Sequence, residues 1–348
     1  MNNEGAPLPS CPLPIAEYPQ VLLAHGGGGQ LMHQLLDRLV LPALCTNLPE
    51  HDSALIDTTG VPLAVTTDSF VVQPLEFPGG NIGTLAACGT FNDLAVAGAR
   101  PRQLAVSLIL EEGLHTNTLW RMLVALRQVA DAAGVQVVTG DTKVVERGHG
   151  DGLYITTTGI GEQLHPTPPH PRNVRPGDVI LVSGDLARHG IAVLAARERL
   201  RFEPPIRSDC ADLSPLVDKL LATPGIQWHC LRDLTRGGLG GALTEVLTTA
   251  GCGASLEETA IPVAPPTATA CDLLGLDPLF VACEGRLVAF VPEAQSEPAL
   301  RALRSQPLGE GAAIIGNVCS GRDLYLRNAL GIDRPLRLPA GEQLPRIC

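Results

Sequence analysis

The sequence is poor in lysine and in aromatic residues. Only two of its 25 basic residues are lysines, and aromatic residues make up 3% of the 348 residues. Acidic residues number 36, which gives a formal net charge of −11. A chain with this balance has no broad basic face, which argues against non-specific binding to nucleic acid or to an anionic membrane.

Long apolar runs and paired cysteine motifs are also missing. No run approaches the roughly 20 residues that cross a bilayer, and the N-terminus lacks the basic and apolar regions of a signal peptide. The ten cysteines include no Cys-x-x-Cys pair, the usual signature of zinc ribbons, iron–sulfur clusters and thioredoxin-like sites. With 45% hydrophobic and 18% charged residues, we expect a globular cytoplasmic protein.

Proline-rich segments divide the chain into two domains of the α/β class. We predict a flexible arm over residues 1–20, a first domain over 21–165, a second domain over 174–332 and a flexible tail over 333–348. Hydrophobic periodicity predicts strands and helices in both domains. The elements that concern the site are a strand over 61–67, a helix over 82–97 capped by Asn81, a strand over 135–139 that runs into a turn at 140–143, and a pair of apolar strands within 279–291.

Four aspartates follow strands or interrupt helices: Asp52, Asp68, Asp93 and Asp141. Hard carboxylate oxygens of this kind suit Mg²⁺, which takes a few carboxylates together with substrate phosphates. Each aspartate could instead cap a helix or a turn. Asp93 stands out because a charge within an apolar helix requires a partner or a metal.

Three further features could serve an anionic substrate. The glycine run 26–29 offers backbone amides to a phosphate, and His25 precedes it, although such a run is more often a flexible connector. Of the two lysines, Lys219 fits a solvated helix face, whereas Lys143 lies in a Gly-Asp-Thr-Lys segment. Glu284 interrupts an apolar stretch, so it either faces solvent on an edge strand or is functional.

The chain ends in Pro-Arg-Ile-Cys at residues 345–348. A prenylation box would place the cysteine fourth from the end, so this motif is not one. A thiol at the tip of an extended arm can move over several tens of ångströms. The alternative is an exposed thiol without a function.

The sequence resembles the HypE hydrogenase-maturation proteins over nearly the whole chain after about residue 20. The resemblance rests on residues 67–101, on Gly-Asp-Thr-Lys-Val-Val at 140–145, on Arg-Asp-Leu-Thr-Arg-Gly-Gly-Leu at 232–239 and on the terminal Pro-Arg-Ile-Cys. The aspartate pattern is similar across a wider group of ATP-using enzymes that includes aminoimidazole ribonucleotide synthetase and selenophosphate synthetase.

This resemblance implies a reaction, a fold and partners. A carbamoyl group placed on Cys348 by HypF would be dehydrated with ATP to a thiocyanate, and the cyano group would pass to iron on a HypC–HypD scaffold. The implied fold has two domains like those of aminoimidazole ribonucleotide synthetase, with the N-terminal mixed sheet forming a barrel in a homodimer.

The resemblance also assigns roles to the candidate residues. Those implied for Mg²⁺ are Asp52, Asp68, Asp93 and Asp141, of which Asp52 departs most from the group's pattern. Those implied for ATP are His25, Gly26, Gly27, Gly28, Gly29 and Asn92. Cys348 would carry the substrate, Lys143 would be the cation beside the phosphate or carbamoyl oxygen, and Glu284 would remove the amide protons.

Two other functions remain open from the sequence. A selenophosphate synthetase-like enzyme needs a reactive cysteine with a nearby lysine in a glycine-rich N-terminal segment, but Cys11 lies among prolines and no lysine precedes Lys143. A non-enzymatic docking protein would present Cys348 to partners without turning over ATP.

Overall fold

The structure, a computed structural model, describes residues 29–35, 54–56, 60–163, 165–340 and 344–348. The candidate site residues that lie outside the described residues are His25, Gly26, Gly27, Gly28 and Asp52.

The first half of the chain forms a five-stranded mixed sheet and a short two-stranded one. Its strands are β1 (Ala54–Ile56), β2 (Leu63–Phe70), β3 (Glu76–Phe77), β4 (Gly80–Asn81), β5 (Ala99–Glu111), β6 (Gln136–Val145) and β7 (Leu153–Gln163). The larger sheet has the order β1-β2-β7-β5-β6, in which only β5 and β6 are parallel, and β3 pairs with β4.

The described residues of this half include three helices: α1 (Gln30–Leu35), α2 (Ile82–Val96) and α3 (Thr116–Ala133). The Asn81 side chain caps α2 by accepting from the amides of Gly83 and Thr84, as the sequence predicts. A Cβ atom on Gly83 would lie 1.9 Å from the Met122 carbonyl oxygen of α3. Glycine at this position therefore allows the two helices to approach closely.

The second half forms a seven-stranded sheet in the order β14-β13-β10-β12-β8-β11-β9. Its strands are β8 (Asp178–Val182), β9 (Cys230–Asp233), β10 (Gly253–Glu257), β11 (Leu287–Pro292), β12 (Ala313–Cys319), β13 (Leu324–Arg327) and β14 (Asp333–Pro335). Its helices are α4 (Arg188–Glu198), α5 (Ser214–Leu221), α6 (Gly238–Ala250), α7 (Pro265–Leu274) and α8 (Ser296–Arg304). Short 3₁₀ turns lie at Pro171–Asn173, Glu258–Ala260, Pro278–Phe280, Glu293–Gln295 and Pro307–Gly309.

The helix α2 joins the two halves. It is buried on nearly all sides, and it packs against β2 and β7 of the first sheet and against α5 and β9 of the second half. The main hydrophobic core accordingly contains side chains from both halves. Side chains that α2 directs toward either half therefore come close to one another, and this positions the site described below.

Several sequence-based predictions require correction. Asp68 lies within β2 rather than at its end, because the following polar residues stay in the sheet: Ser69 Oγ hydrogen-bonds to Thr156 Oγ1 on the exposed face (3.0 Å). The predicted turn at 140–143 is strand, because β6 continues to pair with β5 as far as Val145.

The second half also differs from expectation. The apolar stretch 279–291 contains one strand, β11, preceded by a 3₁₀ turn and a buried loop that carries Glu284, so Glu284 is on no edge strand. The final segment is not without regular structure, because β14 pairs with β13. Lys219 is exposed on α5, as predicted. The proposed domain boundaries stay a prediction.

In the part of the chain that the structure describes, no helix is long and apolar enough to cross a membrane.

Candidate functional site

The last five residues of the chain, 344–348, are called the tail from here on. They lie along the segment that follows β2. The Val71 amide donates to the Cys348 carbonyl oxygen (3.0 Å), and the Gln73 amide donates to the Arg346 carbonyl oxygen (3.2 Å). The two bonds join residues in opposite chain order, so the tail runs antiparallel to this segment. The pairing places Cys348 beside the end of β2.

Two apolar side chains of the tail are buried in the main hydrophobic core. Leu344 and Ile347 are 6% and 5% exposed. Leu344 lies beside Gly190 of α4, where a Cβ atom would be 3.2 Å from Leu344 Cδ1 and 2.5 Å from Val281 Cγ1. Glycine at this position leaves room for Leu344, and burial of the two side chains holds the tail against the second half.

Cys348 lies near Arg236 and two aspartates. Arg236 precedes α6 and is exposed, although partial desolvation by the surrounding protein would by itself lower the pKa of its guanidinium. Negative charge at Cys348 and the carboxylates of Asp68 and Asp93 outweigh this effect, so the pKa of Arg236 lies above its usual value. One guanidinium therefore interacts with the end of the tail and with two of the four predicted Mg²⁺ ligands.

The alternation of β2 explains why Asp68 reaches this site. Ala64, Thr66 and Phe70 are buried on the face that packs against α2, and Asp68 belongs to the same face. The Thr66 hydroxyl donates to Oδ2 of Asp93 on α2 (2.7 Å). A strand and a helix thus bring two predicted acids into one site.

Glu284 lies in the buried loop before β11, close to the same acids. Its amide donates to Asp209 Oδ1 (3.3 Å), and its carbonyl oxygen accepts from the Ala211 amide (3.3 Å). Burial raises the pKa of this carboxyl well above its usual range, and Asp233, Asp209 and Asp68 raise it further. Among the described residues, Oε1 of Glu284 has no hydrogen-bond partner. The surroundings favour a neutral acid with one oxygen available to a substrate.

Asn92 connects this loop to α2. Its Nδ2 donates to the carbonyl oxygens of Ala211 (3.1 Å) and Glu284 (3.3 Å), and its Oδ1 accepts from the Leu213 amide (2.7 Å). Both ends of the buried amide are bonded to backbone groups, so the side chain positions the loop. Its assignment to cofactor binding stays a prediction.

Asp141 and Lys143 lie apart from the other candidate residues. Both are exposed on β6, and Lys143 Nζ is 2.8 Å from Asp141 Oδ2. The hydrogen bond from Lys143, followed by the one from the Thr142 amide, lowers the pKa of Asp141. Three strand spacings separate β6 from β2 in the sheet, a distance of roughly 14 Å. Within one chain, Asp141 and Asp68 therefore cannot bind the same ion.

The start of α1 contacts the segment that leads into the tail. Gly29 is buried, and the amides of Gln30 and Leu31 donate to the carbonyl oxygens of Pro339 (3.2 Å) and Ala340 (3.4 Å). The last residue of the glycine run thus lies close to the chain that carries Cys348. Its contact with a nucleotide stays a prediction.

No group of three or more histidine, cysteine, aspartate or glutamate side chains within the described ranges could hold a metal ion. The Mg²⁺ ligand set therefore stays a prediction. Within one chain, the structure brings together two of its four predicted members, Asp68 and Asp93.

Comparison with known proteins identifies the family. Residues 50–163 match the family model "AIR synthase related protein, N-terminal domain", and residues 175–327 match the corresponding C-terminal domain. Carbamoyl dehydratase HypE of Rhodobacter capsulatus is 48% identical over 336 residues, which cover 94% of this chain and 98% of that protein. The chain belongs to the HypE family of carbamoyl dehydratases.

Solved HypE structures agree with this assignment. A HypE–HypF complex matches with a TM-score of 0.82 and 38% identity, covering 88% of this chain and 99% of that one. HypE in complex with ATP matches with a TM-score of 0.79 and 44% identity, covering 94% and 100%. The expected two-domain AIR synthase-related fold is confirmed.

Sequence reasoning missed three residues of this HypE-type site. Arg236 is distant from Cys348 in the sequence, and its place near the end of the tail depends on how the two halves of the chain pack. His189 and Arg197 of α4 contact the tail across about 150 positions of sequence. No local signal marks such long-range contacts.

Proposed function

We propose that the chain dehydrates an S-carbamoyl group on its own Cys348 to a thiocyanate, with ATP as the phosphoryl donor. The carbamoyl oxygen leaves on the transferred phosphoryl group, the two amide hydrogens leave as protons, and a carbon–nitrogen triple bond forms. The products are the thiocyanate, ADP, inorganic phosphate and one net proton. The main support for this proposal is that Cys348 lies beside Arg236, Asp68 and Asp93.

The described residues fit Mg²⁺ together with a nucleotide. Mg²⁺ in nucleotide sites is commonly bound by one or two carboxylates, with phosphate oxygens and water completing its shell. Asp68 and Asp93 supply such a pair, half-buried beside the Arg236 guanidinium. When bound, the ion would neutralise phosphate charge. The HypE structure that contains ATP supports a nucleotide at the corresponding place in this chain, and we assign residues 25–29 to its phosphates.

Arg236 and Glu284 suit the two charge changes of the reaction. Transfer of a phosphoryl group to the carbamoyl oxygen builds negative charge, and a guanidinium positioned beside the reacting group stabilises such charge. Removal of the amide protons requires an acceptor whose affinity for protons is high. Once ionised, Glu284 meets this requirement through Oε1, because its raised pKa makes it a stronger base than an exposed glutamate.

We further propose that Lys143 and Asp141 act on the site of a second copy. They lie roughly 14 Å from β2 along the sheet, which is too far to reach Cys348 of the same chain. Both residues lie on β6, where Val137, Val138 and Val144 are 44%, 49% and 66% exposed to solvent. Because β6 is an edge strand, its exposed apolar surface is a suitable interface for another chain. A homodimer that covers this strand would remove the exposed apolar surface and bring a lysine to each site.

Partners follow from the chemistry and from one relative. A HypE protein 38% identical to this chain forms a complex with HypF, so we propose HypF as the carbamoyl donor. A HypC–HypD iron scaffold would accept the cyano group. We place the chain in the cytoplasm, and the net charge of −11 supports neither nucleic acid nor a membrane surface as a partner.

Mass spectrometry of the C-terminal peptide tests this proposal. After incubation with HypF, carbamoyl phosphate and ATP, we expect the peptide to gain a carbamoyl group and then to lose the mass of water. Cys348→Ala should abolish both changes, whereas Cys319→Ala, which replaces another cysteine that is exposed, should leave them intact. The same adducts on another cysteine of Cys348→Ala would contradict the proposal.

A further inference from the structure

Arg197 of α4 binds the backbone of the tail and of its neighbouring segment. Its Nη1 donates to the Pro345 carbonyl oxygen (2.7 Å) and its Nη2 to the Arg346 carbonyl oxygen (2.6 Å). The Nε of the same guanidinium donates to the Gln73 carbonyl oxygen (2.9 Å). The planar fork thus joins two consecutive tail residues to the segment that pairs with the tail.

His189, two turns earlier on α4, binds the next residue of the tail. Its ring is fully buried, with Nε2 2.6 Å from the Ile347 carbonyl oxygen and Nδ1 2.8 Å from Ser208 Oγ. Because a carbonyl oxygen only accepts, Nε2 carries the proton and the Ser208 hydroxyl donates to Nδ1. Phe77 lies edge-on to the ring, with centroids 5.3 Å apart. These contacts fix the orientation of the imidazole.

We propose that Arg197 and His189 are positioning residues that hold the tail with Cys348 in the active site. Together they bind three consecutive carbonyl oxygens, those of residues 345, 346 and 347. These bonds join both residues to the backbone of the tail, and this inference rests on the proposed role of Cys348 as the carrier of the reacting group.

Binding through the backbone has a consequence for the catalytic cycle. Free, carbamoylated and cyanated forms of Cys348 present the same three carbonyl oxygens, so these contacts favour the docked tail equally in all three. They set a constant ratio of docked to released tail, and they cannot by themselves distinguish substrate from product. Discrimination is left to groups around the sulfur, such as Arg236.

Hydrogen exchange of the Val71 and Gln73 amides tests the proposal without any chemistry. Both amides donate to the docked tail, so their exchange reports its release. In the full-length protein, Arg197→Gln removes two charge-assisted bonds to the tail, and exchange should accelerate roughly tenfold to a hundredfold. Arg197→Lys should accelerate it less. Arg201→Gln, at an exposed arginine just beyond α4, should leave it unchanged.

A second measurement separates positioning from general damage. We take HypF to modify the released tail, because the docked tail buries Leu344 and Ile347. Arg197→Gln should then accept carbamoyl at least as fast as the parent, whereas its single-turnover dehydration should be slower. Equal exchange in Arg197→Gln and Arg201→Gln would overturn the proposal, as would equal loss of both reactions. Failure of the parent protein to form an adduct on Cys348 would instead contradict the proposed function and leave the exchange result standing.

Discussion

Replacing Glu284 by glutamine separates the stability of the site from its chemistry. The side chain is 2% exposed, and its pKa is raised first by burial and then by neighbouring carboxylates. An exposed glutamate titrates near pH 4.3, so at pH 7 the unfolded chain has lost a proton that the folded chain tends to keep. Keeping it costs the folded state at most about 3.7 kcal/mol at pH 7. Glu284→Gln retains the size of the side chain and removes this cost.

We therefore expect Glu284→Gln to be more stable than the parent at pH 7. The sign follows from the raised pKa, because the stability associated with a protonated carboxyl is complete below about pH 4.3 and is lost as the pH rises toward the folded-state pKa. The advantage of the variant should accordingly grow from pH 5 to pH 8. Because a glutamine cannot accept a proton, the same variant should lose dehydration activity.

Urea unfolding at several pH values between 5 and 8, combined with single-turnover dehydration, measures both effects. Glu310→Gln, at an exposed glutamate, is the matched control and should change neither. A stability difference that is constant over this pH range would refute the view that Glu284 is buried as a neutral acid. Full activity of Glu284→Gln would exclude it as the proton acceptor.

Two further predictions concern the metal and the second copy. Asp93→Asn keeps an oxygen that can accept from Thr66, so the variant should fold normally but bind Mg·ATP more weakly in calorimetry than Asp131→Asn, an exposed control on α3; unchanged affinity would remove Asp93 from the ligand set. Lys143→Arg should lose most of the activity, because a guanidinium does not replace an ammonium at a phosphate, and near-normal turnover would make Lys143 a surface cation. If Lys143 acts across a dimer, then Lys143→Ala and Cys348→Ala, each inactive alone, should recover activity when mixed, and no recovery would place Lys143 in its own chain's site.

The part of the site that local patterns determine could be predicted from the sequence. The strand before Asp68 and the Asn81 cap of α2 depend on neighbouring residues; both were found, although the strand continues past Asp68 to Phe70. The placement of Asp68 against Asp93 follows once these elements pack. The resemblance to HypE supplied the role of the terminal cysteine, which composition and spacing left open.

The remaining features depend on contacts that no local pattern encodes. The stretch around Glu284 has the composition of a strand, yet it is a buried loop, because Asn92 and Asp209 bind its backbone in place of a neighbouring strand. Prolines in the final segment predicted an unstructured tail. In the structure, Leu344 and Ile347 are instead buried, and side chains of α4 form hydrogen bonds with the backbone of the tail. A segment whose backbone is hydrogen-bonded by another element can be ordered without forming a helix or strand of its own.

Infrared spectroscopy of the carbamoylated protein tests the central claim most directly. A carbon–nitrogen triple bond absorbs where proteins are otherwise transparent, so its formation on the chain can be followed as ATP is added. The account predicts a nitrile band that appears with ATP consumption, shifts when the carbamoyl carbon is ¹³C, and is absent in Cys348→Ala. Consumption of ATP by the carbamoylated protein without a nitrile band, or a band that persists in Cys348→Ala, would contradict it.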